Sequence, residues 1–134
     1  EREEGSPLPM RFPSSAGGVF PLYHVFAELA AYASGYVFPV KSPCPLSVEA
    51  LALASSPQGP PECILIANLS ARDELVLVPV SSQRADVQIL TAKIAPEATE
   101  SPEAFHPLAV GLPTRSHRLV LQLPPHALAR VRPR

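Results

Sequence analysis

The chain has no tryptophan, one methionine, two cysteines and six glycines in 134 residues. Two thiols, Cys44 and Cys63, are too few for a disulfide scaffold or a thiolate metal site. Isolated cysteines of this kind are more often free and buried. Charge is sparse as well: 17% of residues carry it, eleven basic against twelve acidic, for a net charge of −1. Nucleic-acid binders usually show a basic excess, because affinity rests largely on neutralising phosphates. No nucleic-acid partner is expected. No apolar run reaches the ~20 residues of a membrane span, and the opening Glu1-Arg2-Glu3-Glu4 reverses the basic start of a signal peptide. A cytoplasmic chain with no membrane partner is the expectation.

What is abundant is proline, 18 residues of 134, against roughly 5% in average usage. Prolines are excluded from helix interiors and central strands but suit turns and strand edges. With 46% hydrophobic residues the chain can bury one core of ordinary size, not two. These two facts together point to short strands separated by stiff corners.

Residues 1–18 read as an irregular loop, with Pro7, Pro9, Pro13 and the Gly17-Gly18 pair. A helix is predicted over Pro21–Ser34. Proline suits its first turn, and Leu22, Val25, Phe26, Leu29, Ala30 and Ala33 form one apolar stripe. His24, Glu28 and Ala31 fall on the opposite side, and Gly35 stands where a left-handed C-terminal cap belongs. The stripe needs a surface to cover.

From Tyr36 the hydrophobic period changes to two. Strands are predicted at Tyr36–Val40, Val48–Ala54, Cys63–Ala67, Glu74–Val80, Asp86–Leu90, His117–Leu123 and Leu128–Arg132. Leu119, Leu121 and Leu123 point one way while Arg118 and Gln122 point the other. Cys63–Ala67 is apolar on both faces, as a central strand would be. Residues 95–113 break the pattern and read as a long loop with one short turn. The predicted fold class is mainly β: an antiparallel sandwich or Greek-key-like arrangement preceded by one helix.

Residues with chemical potential each have an ordinary alternative. His24 and Glu28 have the spacing of two metal ligands, but no third ligand is visible and an exposed polar pair one turn apart is common. No metal and no cofactor are expected. His106, His117 and His126 are scattered and read as surface histidines. Glu1, Glu3 and Glu4 offer paired carboxylates, yet a charge run of this kind is normally solvated. Ser14-Ser15-Ala16-Gly17-Gly18 precedes a helix but lacks the lysine and the strand of a phosphate loop. Asn68-Leu69-Ser70 matches the glycosylation pattern, at a turn where asparagine also serves backbone geometry. Arg115, Arg118, Arg130, Arg132 and Arg134 form either an anion-facing patch or the charged outer face of edge strands.

Three motifs occur in order. They are Val19-Phe20-Pro21-Leu22-Tyr23-His24-Val25-Phe26-Ala27-Glu28-Leu29, then Ile64-Leu65-Ile66-Ala67-Asn68-Leu69-Ser70, and finally Leu121-Gln122-Leu123-Pro124-Pro125-His126-Ala127-Leu128-Ala129-Arg130-Val131. This series resembles the C-terminal part of glycosidase-like (β/α)8 barrel proteins that carry a β-sandwich after the barrel. Glu4-Gly5-Ser6-Pro7 and Arg11-Phe12-Pro13-Ser14, with Phe20-Pro21-Leu22-Tyr23-His24-Val25, make the chain most like D-apionate lactonases.

The resemblance implies that residues 1–35 are the loop and final helix of a truncated barrel and residues 36–134 a C-terminal sandwich. Barrel active sites lie at the C-terminal ends of the strands, so only the opening loop would approach one, with Glu3 and Arg11 as the residues lining its mouth. The acid and base carboxylates would sit on earlier strands, so no catalytic residue is expected here. The implied partner is the missing barrel, whose substrate would be a sugar or sugar lactone. Fold-level analogy of this kind carries function only as an expectation. A carbohydrate-binding module is the competing reading, weakened by the lack of tryptophan and by aromatics gathered around the helix. A stand-alone interaction domain is the third.

Overall fold

The period-two alternation from Tyr36 onward becomes seven strands, joined by an eighth that the pattern did not mark, in antiparallel sheets. The computed structural model describes residues 22–105 and 109–134. Its elements are α1 (Leu22–Ala31), β1 (Tyr36–Pro39), β2 (Val48–Ala54), β3 (Cys63–Asn68), β4 (Glu74–Pro79), β5 (Arg84–Leu90), α2 (Ala95–Glu100), α3 (Pro102–Phe105), β6 (Val110–Pro113), β7 (Arg118–Leu123) and β8 (Leu128–Pro133). Six strands form one sheet in the order β1-β2-β3-β8-β5-β6, and β4 pairs with β7 in a second.

Alternation decides which residues meet. On one face of the large sheet, Ala52, Ile64, Ile66, Val87, Ala129 and Val131 are buried in a cluster with Val78, Leu119, Leu121 and Leu123 of the small sheet. On the other face lie Leu53, Cys63 and Leu65, where Val25, Leu29 and Tyr32 pack. The leucines of β7 are buried and its Arg118 and Gln122 exposed, as their spacing predicts. β3, apolar on both faces, lies between β2 and β8. A strand covered on both sides has no wet face to encode, which is why its sequence does not alternate.

Four expectations need correction. First, α1 turns its polar side inward: His24 and Glu28 are buried, whereas Leu22 and Phe26 are exposed. The reason is on β8, whose Arg130 and Arg132 project from the sheet face beneath the helix and pair with Glu28. Of the apolar stripe, Val25 and Leu29, at its flank, pack against the sheet.

Second, Gly35 has no left-handed backbone angle. It is glycine because a Cβ there would come within 2.6 Å of the Ala54 carbonyl oxygen. Third, the region read as a loop holds α2, α3 and β6. Each short helix has a Pro-Glu pair in its first turn, Pro96-Glu97 and Pro102-Glu103, which places proline where its missing N–H is no loss and an acid near the N-terminus. Fourth, the arginines of β8 do not lie on an edge strand, since β8 is hydrogen-bonded to both β3 and β5.

Candidate functional site

The polar centre under α1 is assembled from six elements: α1, α2, α3, β3, β5 and β8. The helical periodicity that stacks His24 and Glu28 on one face points both at the sheet. Glu28 Oε1 accepts from Arg130, and Oε2 accepts from Arg132 at 2.7 Å. The Cys63 thiol, on β3, lies 4.0 Å from Glu28 Oε2. His24 Nε2 donates to the Ala98 carbonyl of α2 at 3.0 Å, and its ring meets Phe105 edge-on at 4.7 Å. Gln88, on β5, donates to the Phe105 carbonyl. One histidine thus ties α1 to α2 and α3, and one glutamate ties α1 to β8.

Burial and charge fix the protonation states of this centre. Burial pushes the Glu28 carboxyl up, but hydrogen bonds and charge from Arg130 and Arg132 outweigh it and hold the group below the usual carboxylate range. Glu28 is therefore a fixed anion and a poor proton donor. Burial, with the Glu28 charge adding to it, pushes the Cys63 thiol up to about 11, far from a nucleophilic thiolate at neutral pH. The cavity beside His24, Glu28, Gln88 and Arg130 measures about 20 Å3, which is room for a single water molecule and not for a substrate. Among the described residues no group of three or more His, Cys, Asp or Glu side chains has the arrangement of a metal site.

A larger depression of about 440 Å3 opens at the end of β8, lined by Tyr32, Ser55, Glu62, Asp86, Arg132 and Arg134. Its charges are paired within the chain. Glu62 accepts from the Ser55 N–H at 3.0 Å and hydroxyl at 2.9 Å, and Arg134 pairs with Asp86 at 2.5 Å. Neither reading of the arginine group fits as a whole: Arg130 and Arg132 turn inward to Glu28, Arg134 is exposed but paired with Asp86, and Arg115 and Arg118 are exposed beside a turn.

The glycosylation pattern is inert here. Asn68 is 1% exposed, and its Nδ2 donates to the carbonyls of Arg72, Leu123 and Pro124. A nitrogen so engaged is closed to modification. His117 and His126 are exposed, as expected of surface histidines. Glu3 and Arg11, the residues placed at a barrel mouth, lie outside the described residues, as do Glu1, Glu4, Ser14–Gly18 and His106. The expectation of buried, free cysteines holds for Cys63 and fails for Cys44, which is exposed. Under native conditions Cys44 is expected to alkylate at the rate of an ordinary surface thiol. Cys63 should stay unlabelled until denaturant is added; mass-resolved labelling in which both react together would contradict the packing of α1 over β3.

What sequence reasoning missed was the inward pull of β8. Arg130 and Arg132 alternate with Ala129 and Val131, so the pattern itself placed two guanidiniums on one sheet face. An acid on a helix with no other charge was the complementary signal.

No protein-family model, no curated protein and no solved structure matches the chain. Among the described residues no helix is long and apolar enough to cross a membrane.

Proposed function

We propose that the chain is a non-catalytic accessory β module that docks onto a larger partner through the outer face of α1. The observation that carries this reading is the inverted helix. Phe26 is 60% exposed and Leu22 57%, and Tyr23, Ala30 and Ala33 complete an outward surface without a charge. A helix that buries its carboxylate and presents its apolar side to solvent has its second contact elsewhere.

The resemblance to the C-terminal region of (β/α)8 proteins supplies the partner. The outer face of α1 would lie against the barrel, with residues 36–134 as a sandwich formed by the two sheets. On this reading the parent is a hydrolase acting on a sugar lactone or glycoside, most similar to D-apionate lactonase, and the accessory module braces it. The small volume of the cavity under α1 and the self-paired charges of the open depression favour bracing over catalysis.

The purified chain is expected to hydrolyse neither aldonolactones nor nitrophenyl glycosides; turnover that co-purifies with the chain overturns the proposal. The double substitution Leu22→Glu/Phe26→Glu is a further check. Because both side chains face outward, unfolding free energy is expected to shift by no more than about 0.5 kcal/mol. A loss several times larger would mean that this face is part of the chain's own core.

A further inference from the structure

On the side of the molecule opposite α1, the small sheet presents a second apolar surface. Successive side chains of a strand alternate between faces. The outer face therefore carries Leu75, Leu77 and Pro79 along β4, with the exposed Asp73 just before its first residue, and Arg118, Val120 and Gln122 along β7. Leu77 stands directly opposite Val120, and Leu75 opposite Gln122. Leu75 is 71% exposed, and Leu77 and Val120 are both more than half exposed.

The charges at the two ends differ in sign. At one end Arg118 sits beside Pro79, with Arg115 bridged to Arg118 across the turn. At the other end Asp73 is exposed, while its neighbours Arg72 and Glu74 pair with each other at 3.0 Å. We infer that this face binds a second copy of the chain. The apolar residues fill the centre, and Asp73 of each copy meets the Arg118 end of the other.

The geometry is self-complementary. Asp73 and the Pro79–Arg118 pair lie three residues to either side of Val76. A two-fold axis crossing the strands at Val76 sets Leu75 of each copy on Leu77 of the other and brings Asp73 to the level of Arg118. An axis along the strands would stack the two basic ends and is disfavoured. The contact is isologous, so it closes at two copies. Pro79 removes a backbone donor from β4 and the arginines flank β7, so pairing runs through the face and not the strand edges. The apolar centre is smaller than the roughly 800 Å2 per partner of standard stable interfaces, which makes the dimer weak and reversible.

Sedimentation of the full chain over a concentration series tests this. The mass is expected to rise from 14.3 kDa towards twice that value, and added salt should weaken the association. Leu77→Lys should leave a folded monomer by circular dichroism. Asp73→Arg or Arg118→Asp alone should weaken dimerisation at least about tenfold, because two symmetric contacts become repulsive, and the double exchange should restore it. Phe26→Glu, on the opposite face, should leave the dimer intact. A monomer up to about 1 mM overturns the inference. So does a dimer that survives Leu77→Lys, a double exchange that restores nothing, or a dimer lost with Phe26→Glu.

Discussion

Replacing Asn68 by aspartate is expected to destabilise the protein by about 3 kcal/mol or more. Asn68 ends β3 at a point where three segments meet. Its Nδ2 donates to the Arg72 carbonyl at 2.8 Å, Leu123 at 3.0 Å and Pro124 at 2.9 Å. Its Oδ1 accepts from the Ser70 N–H at 2.9 Å and the Ser70 hydroxyl at 2.8 Å. The side chain therefore holds the end of β7 and the turn into β4 against β3, at 1% exposure. Aspartate keeps the acceptor and loses the donor, so a buried carboxylate faces three carbonyl oxygens. It must then ionise with only the Ser70 N–H and hydroxyl to offset three carbonyl oxygens, or stay protonated far above its usual range. Alanine leaves the same carbonyls unsatisfied without adding charge, and its cost should be smaller but still above about 1 kcal/mol. Urea midpoints for the three proteins test the ranking. An Asn68→Asp midpoint close to the original would remove the claim that this amide organises the corner.

Glu28→Ala is expected to cost about 3–5 kcal/mol, the range for breaking a buried ion pair from one side. Arg130 is itself buried and pairs with Glu28, as does the more exposed Arg132. Removing the carboxylate takes a charged partner from a guanidinium in a poorly solvated place. Replacing Glu28 and Arg130 together by leucine and methionine should recover much of the loss, since apolar residues of similar volume can fill such sites at little cost. Recovery would mean that the penalty belongs to the lost ion pair and not to the helix.

The same pair sets an acid dependence. The Glu28 carboxyl is held below its ordinary value in the folded protein, chiefly against burial and by the two arginines. Its contribution is present above the unfolded carboxyl value of roughly 4.3. It is lost as pH falls through the lower folded value. Unfolding free energy should therefore fall more steeply below pH ~4 in the original protein than in the Glu28→Ala variant. Parallel acid profiles would contradict the ion pair.

The legible part of the fold was the part in which one face is wet. β7 buries every second residue, and its pattern of inward leucines against outward arginine and glutamine is read directly from the chain, with Val120 the one apolar residue on the outer side. Asn68 was placed at a turn because asparagine suits such backbones, yet the three carbonyls it serves come from segments up to 56 residues away. Long-range pairing of that kind leaves no periodic trace. The orientation of α1 failed for a related reason. Hydrophobic patterning assumes that the sheet presented to a helix is apolar, and β8 places arginines there. β6 escaped because Val110-Gly111-Leu112-Pro113 is short and holds both residues that weaken strands.

The position of β8 has a consequence for how the chain acquires its shape. It is the last of the eight strands to leave the ribosome, yet it joins β3 on one side and β5 on the other. Until it emerges, β1–β3 and β5–β6 are two unconnected pieces with apolar faces, and Glu28 has no arginine to meet. Pairings this distant in sequence are slow to close and expose sticky edges while they wait. Nascent chains stalled before Leu128 should thus be bound by chaperones and readily digested, and release of the final strand should protect the whole sheet at once.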